Sequence, residues 1–146
     1  MELEGITYTK FLYNKTFGSF RLSDYFITTF YQKYNENLNN QPSNSIALRS
    51  DPRVIKLFEE IEPPHRCYDK DSIGITFIPT ELLKYANILG YNGRESIRVN
   101  FDLAYRDILD NIMDNRNLSG LDISKYIRLQ RIEQKYLHAI ETEQID

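Results

Sequence analysis

The sequence contains one cysteine, two histidines and no tryptophan. One cysteine excludes an internal disulfide and is typical of a reducing, intracellular compartment. His65 and Cys67 lie two positions apart, but no carboxylates stand at the spacing that would complete a zinc site. The pair also has no third group to orient it as a nucleophile and base. We therefore predict no metal, no cofactor and a free thiol in a connecting loop.

Other signals of function are also missing. No apolar run approaches the ~20 residues of a membrane span, and the first residues have neither the basic start nor the apolar stretch of a signal peptide. The motifs GxGxxG, GxxxxGK(S/T), HExxH and GxSxG do not occur. The net charge of −3 is unlike the basic excess of proteins that bind nucleic acids or anionic membranes. These absences predict a protein that is not an enzyme, crosses no membrane and does not bind nucleic acid.

A sheet is predicted around the stretch from Ser72 to Val99. Its first part, up to Pro79, is rich in β-branched and aromatic residues, as a buried strand would be. Its second part centres on Asn92 and Gly93, the strongest short signal for a two-residue hairpin turn, because both positions of a type I′ turn require a positive φ. A further strand is expected between Gly5 and Phe20.

The sequence predicts the first residues of two helices before this stretch. Ser23 is a good N-cap for a first helix, and Asp51 with Pro52 predicts a second, since proline at the first helical position loses no hydrogen bond. Between them, residues 35–45 are polar and predict a surface loop, and residues 46–49 predict a short strand.

Two amphipathic helices are predicted after Asn100, joined by a short connection and therefore antiparallel. Acidic residues on the first helix face basic residues on the second, and such pairs would set the register of the hairpin. The acidic side chains are Asp107, Asp110 and Asp114, and the basic ones are Arg128, Arg131 and Lys135. The predicted fold is α+β: a small, mostly antiparallel sheet of three to five strands packed by two helices in residues 1–99, with a helical hairpin in residues 100–146.

Three blocks carry a resemblance to a known family. They are Gly-Ser-Phe-Arg-Leu-Ser at residues 18–23, Arg-Ser-Asp-Pro at residues 49–52, and Ile-Pro at residues 78–79 followed by Tyr-Asn-Gly-Arg-Glu at residues 91–95. In order and spacing they resemble a family of small proteins of giant DNA viruses, mimivirus-like ones among them. The chain departs from the family pattern at Ser19, where a second glycine is usual, and in the Pro-Pro end of the second helix. The resemblance implies a viral protein and brings no activity or active site with it.

Four arginines lie within or beside these blocks: Arg21, Arg49, Arg53 and Arg94. If they converge near the hairpin, they would form a pocket for a phosphate or nucleotide, because arginine binds such groups through two parallel hydrogen bonds. The alternative is that each pairs with a nearby acid, Arg49 with Asp51 or Glu95.

The function predicted from the sequence is a non-catalytic protein-interaction subunit of viral origin, acting in the host cytoplasm or in the virion. Its partner would be a viral or host protein, because numerous tyrosines together with arginines are typical of interaction surfaces. The alternative is a small-ligand or nucleotide-binding protein that uses the arginine cluster.

Overall fold

The computed structural model describes residues 1–91, 93–115 and 120–145. Its fold is α+β, which confirms the predicted class. The strands are β1 (Glu2–Leu3), β2 (Ile6–Asn14), β3 (Ile73–Pro79), β4 (Ala86–Tyr91) and β5 (Arg94–Val99). The α-helices are α1 (Asp24–Tyr34), α2 (Ile46–Ser50), α3 (Pro52–Glu60), α4 (Phe101–Asn115) and α5 (Gly120–Glu141), and short 3-10 helices cover Leu38–Asn40, Pro63–His65 and Thr80–Tyr85.

The strands form two antiparallel sheets rather than the single sheet predicted. One has the order β1-β2-β3, and the other is the hairpin of β4 and β5. In the first sheet Glu2 lies opposite Thr7, and Leu3 lies opposite Ile6. The hydrophobic pattern that predicted β2 and β3 is local, whereas the pairing of strands depends on residues far away in the sequence, and β1 was not predicted.

Gly93 lies in the turn between β4 and β5 with a φ of +87°, as the hairpin signal predicts. Asn92, the other half of that signal, lies outside the described residues. Gly93 is needed for a second reason, because a Cβ there would overlap the backbone of Gly18. The turn therefore requires glycine both for its conformation and for its closeness to another loop.

The two predicted N-caps are present. The Ser23 hydroxyl accepts a hydrogen bond from the backbone N–H of Phe26 at 3.0 Å. The Asp51 carboxylate accepts one from the N–H of Arg53 at 2.9 Å, and Pro52 is the first residue of α3. In both helices a side chain satisfies a donor that the first helical turn leaves open.

The segment before α3 differs from the prediction. Residues 46–49 are helical rather than extended and form most of α2. Ser45 caps this helix, because its hydroxyl accepts a hydrogen bond from the N–H of Leu48 at 3.2 Å. The polar loop ahead of it also contributes to the core, since Leu38 is buried. A single leucine among asparagines carries no periodicity, so the pattern of the sequence did not reveal it.

Contacts group the chain into two compact units that interleave in sequence. The arginine unit consists of Lys10–Thr76 and Ile88–Arg98, and the helical-pair unit consists of Met1–Thr9, Phe77–Asn87 and Val99–Asp146. This grouping does not follow the predicted boundary between residues 99 and 100. As a statement about domains that fold independently, that boundary stays a prediction.

The arginine unit has an aromatic and aliphatic core supplied mainly by one face of α1 and one face of α3. Phe26 and Phe30 of α1 are fully buried, and the ring of Phe26 lies 6.4 Å from that of Phe58 in α3. The remaining buried core residues are Leu12, Phe20, Leu22, Leu38, Leu48, Val54, Ile55, Leu57, Ile61, Cys67 and Ile73. This core accounts for the apolar periodicity that predicted both helices.

The helical-pair unit is built around α4 and α5, which run antiparallel. The ring of Phe101, at the start of α4, lies 6.0 Å from that of Tyr136, near the end of α5. One turn later, the Tyr105 hydroxyl donates to Glu133 at 2.9 Å. Aromatic and tyrosine–carboxylate contacts therefore join the two helices.

The prediction that acidic residues of α4 pair with basic residues of α5 is wrong for Asp107, Arg128 and Lys135. Asp107 accepts a hydrogen bond from the Tyr85 hydroxyl at 2.6 Å, and Arg128 is bonded to Glu81 through two nitrogens. Lys135 donates to the backbone carbonyl of Glu4. The side chain of Asp114 lies outside the description. The charges thus hold neighbouring segments against the helices instead of joining the helices to each other.

Candidate functional site

Arg49 is the most deeply buried charged residue of the described chain, with 1% of its surface exposed. Its guanidinium forms two parallel hydrogen bonds with the carboxylate of Glu95, at 2.7 and 3.0 Å. Further hydrogen bonds reach the carbonyls of Ser43 and Leu12, and the guanidinium carbon lies 3.5 Å from the centre of the Phe20 ring. The N–H donors of Arg49 and one planar face of its guanidinium are thus engaged within the chain, as the alternative of pairing with a nearby acid predicts.

Asn14 extends this buried network to the hairpin turn. Its backbone N–H donates to Glu95 at 2.7 Å, and its side-chain amide donates to the carbonyl of Gly93 at 2.6 Å. The same amide reaches the carbonyls of Thr16 and Gly18 at 3.0 and 3.1 Å. Asn14 and Glu95 therefore fix the end of β2, the Gly18 loop and the turn around Arg49.

The other three arginines lie in different surroundings. Arg53 bonds to Asp51 at 2.8 Å and to Glu36 at 2.7 Å, and these acids raise the pKa of its guanidinium. The guanidinium of Arg21 lies 3.8 Å from the centre of the Tyr68 ring. Arg94 lies on the hairpin beside Glu95 and is exposed. Because Arg49 and Arg53 already bind carboxylates, the geometry does not favour a shared anion pocket, and the ligand-binding role of the four arginines stays a prediction.

A groove of about 490 Å³ lies in the helical-pair unit, between the 3-10 helix Thr80–Tyr85 and the two long helices. Buried apolar side chains form much of its surface. These are Leu82, Ala104, Leu129 and Ile132, with Ile108 half-buried beside them. Its volume and mainly apolar lining are those of small-molecule sites in proteins.

Two polar bridges hold the 3-10 helix against the groove's helical walls. Tyr85 donates from its hydroxyl to Asp107 of α4, and burial, together with this hydrogen bond, raises the pKa of Tyr85. Glu81 accepts from Arg128 of α5 at 3.1 Å and raises the pKa of that guanidinium. The phenol thus remains protonated and the guanidinium charged near neutral pH, so both bridges persist there.

α5 presents apolar residues on two opposite sides. One side, with Leu129, Ile132, Tyr136 and Ala139, is buried. The opposite side carries a row at alternating spacings of four and three residues, all of it exposed. We call this the α5 row: Ile123, Ile127, Gln130, Gln134 and Leu137. Such spacing keeps side chains on one line along a helix and is the spacing by which two helices pair.

The end of α4 that leads into α5 is also apolar on its surface. Met113 is 74% exposed and Leu109 is 46% exposed. Because the helices are antiparallel, these residues lie at the same end of the pair as Ile123 and Ile127. Half of the exposed large hydrophobic residues found in the described part of the chain are on α4 and α5, which marks this pair as the main apolar surface.

Several residues of these sites were not singled out in the sequence. Glu81, Tyr85 and Asn14 belong to no motif, and their partners are distant in the sequence. One signal was available: the row Ile123, Ile127 and Leu137 falls on the side of α5 opposite to Ile132 and Tyr136. A helix with two apolar sides predicts two surfaces to cover.

Among the described residues, no group of three or more His, Cys, Asp or Glu residues is arranged to hold a metal ion. No described helix is long and apolar enough to span a membrane. Cys67 is a free thiol in the segment between the 3-10 helix Pro63–His65 and β3, as expected, and it is buried in the core of the arginine unit. His65 instead packs its ring 5.5 Å from that of Tyr25.

Comparisons of this chain with protein-family models, with curated proteins and with solved structures find no match. Membership of the giant-virus family therefore rests on the three sequence blocks and stays a prediction.

Proposed function

We propose that this protein is a non-catalytic protein-interaction subunit, of viral origin, that acts in the host cytoplasm or in the virion. The observation that carries the proposal is the α5 row, which leaves Ile123, Ile127 and Leu137 in water at 43, 58 and 49% exposure. Large aliphatic side chains that are exposed in a line lower the solubility of the protein and do not stabilise its fold. Exposed aliphatic side chains grouped on one helix face, as Ile123 and Ile127 are, mark interaction sites in soluble proteins.

The spacing of the row favours a helix as the partner's contact. Side chains that alternate at four and three residues match the line of contact between two packed helices. Gln130 and Gln134 in the middle of the row would each require a polar partner, because a buried amide without a hydrogen bond is destabilising. The partner would therefore present apolar residues at both ends of its contact and polar ones at the centre.

The experiment compares the proteins retained by the wild type with those retained by a variant carrying Ile123→Glu and Ile127→Glu. Each purified chain is used for affinity capture from infected cells, followed by quantitative mass spectrometry and reconstitution of the captured pair from purified components. We expect a specific partner that the wild type binds and the variant loses at least tenfold, since the two charges would have to be buried in the contact.

The matched control is Tyr31→Glu, which places a charge on an exposed apolar residue of α1. This control should retain the partner, and all three chains should melt at the same temperature. Equal retention by the wild type and the double variant would contradict the proposal, and so would capture of no protein that also binds in reconstitution.

A further inference from the structure

The charges on the rim of the groove do not cancel. Glu81 is already bonded to Arg128, and Asp107 accepts the hydrogen bond of Tyr85. Two further cations lie on the lining, Lys84 and Lys125, and neither forms an ion pair with a carboxylate of the described residues. With Arg128 the lining carries three cations against the two carboxylates of Glu81 and Asp107, an excess of one positive charge. The groove is therefore locally basic in a chain whose net charge is −3.

The apolar part of the lining, which we call the floor of the groove, includes Leu82, Ala104, Leu129 and Ile132. Leu82, Ala104 and Ile132 are all buried to 6% exposure or less. A ligand that fills the floor must therefore be apolar over most of its surface, since a polar group placed there would lose its hydrogen bonds to water. Only its end near the rim would meet charged side chains.

We propose that the groove binds a small amphipathic anion, namely a carboxylate with an unbranched alkyl chain. The chain would lie on Leu82, Ala104 and Ile132, and the carboxylate would meet Lys125 or Lys84 at the rim. The volume of about 490 Å³ lies within the range of about 300–1,000 Å³ that small-molecule sites have, so the groove has room for a medium-length alkyl chain such as that of decanoate. This binding is separate from the proposed protein interaction, because no residue of the α5 row lines the groove.

Titration calorimetry on the full chain with decanoate provides the test. Decyltrimethylammonium, which has the same chain length and the opposite charge, is the reference ligand. We expect saturable binding of decanoate, at least tenfold tighter than that of the cation, because cations on the rim attract one head group and repel the other. No saturable binding, or equal affinity for both ligands, would overturn the proposal.

Two pairs of variants locate the site. Lys125→Glu should lower the affinity for decanoate at least fivefold. Arg131→Glu, the same charge change on α5 outside the lining, should leave that affinity unchanged. Ile108→Trp should weaken it at least tenfold by filling the groove, whereas Leu109→Trp, on the exposed side of α4, should not. If both members of either pair lose affinity equally, the groove is not the site.

Two controls keep the result interpretable. Lys125 is exposed, so its variant remains a valid test even if the tryptophan variant does not fold, which a circular dichroism melt will show. Ile123→Glu with Ile127→Glu should bind decanoate like the wild type. Loss of decanoate binding in that variant would overturn the assignment of the decanoate site to the groove. Loss of binding to the protein partner alone would bear only on the proposed function.

Discussion

The two compact units use their polar and apolar side chains in opposite ways. In the arginine unit, apolar side chains of α1 and α3 are buried, and the most deeply buried charge, Arg49, is matched by Glu95. In the helical-pair unit, α5 leaves a row of aliphatic residues in water, and a groove remains open beside it. The difference teaches that buried apolar side chains and paired charges stabilise the fold. Exposed apolar side chains and an open groove instead mark places where another molecule binds.

The largest effect is expected from breaking the buried ion pair. Glu95→Gln keeps the shape of the side chain but leaves the charge of Arg49 buried without a counter-charge, which should cost about 3–5 kcal/mol of unfolding free energy. Urea denaturation measures it. Glu59→Gln is the matched control, because it breaks the exposed pair with Lys10 and should cost only about 0–1 kcal/mol.

Equal losses from Glu95→Gln and Glu59→Gln would mean that burial of the Arg49 pair does not matter. The contrast between the arginine unit, with its paired buried charge, and the helical-pair unit would then lose its main support.

The next effect is expected at the turn. Gly93→Ala forces a side chain into a positive φ and against the backbone of Gly18, which should cost about 2–3 kcal/mol. Gly90→Ala is the control on the preceding strand, where an added Cβ meets nothing within 4 Å. Thermal melts of both variants decide it, and a Gly93→Ala protein as stable as Gly90→Ala would contradict the turn as described.

A smaller effect is expected from the helix cap. Asp51→Asn should cost up to about 1 kcal/mol, because an amide oxygen still caps α3 but no longer pairs with the charge of Arg53. Hydrogen bonds from the Arg53 side chain, more than any other cause, hold the pKa of Asp51 below its usual value despite partial burial.

The sign of the pH dependence at Asp51 follows from that shift. The pKa is lower in the folded chain than the ~3.9 of an unfolded aspartate, so the stabilisation is complete above the unfolded value and is lost as the pH falls through the folded one. We expect the difference in unfolding free energy between the wild type and Asp51→Asn to be constant from pH 7 to about pH 5 and to shrink below about pH 4. A difference that stays constant down to pH 2 would contradict this origin.

The smallest effect is expected on the α5 row. Ile127→Ala should change the free energy of unfolding by less than about 0.5 kcal/mol, because the side chain is already largely in water. Ile132→Ala, on the opposite side of the same helix and 1% exposed, should cost about 2–5 kcal/mol. Urea denaturation of the two variants measures how differently the two sides of α5 serve the fold, and comparable losses would place the row in the core.

Much of the local structure could be predicted from the sequence. Ser23, Asp51 and Pro52 act within their own first helical turn, and the run from Ile73 to Pro79 is a strand because its composition suits one. These features depend on neighbours within about four residues, so they can be read without knowing the fold. The α+β class followed from the order of such elements.

The tertiary structure alone decided which carboxylates Arg49 and Arg128 bind. Arg49 and Glu95 lie 46 positions apart, and Arg128 and Glu81 lie 47 apart, so neither pairing has a local pattern. It also decided that the strands form two sheets and which side of α5 is buried. The physical reason is the same in each case: burial and pairing depend on which distant segments pack together, whereas caps, turns and periodicity depend only on the adjacent chain.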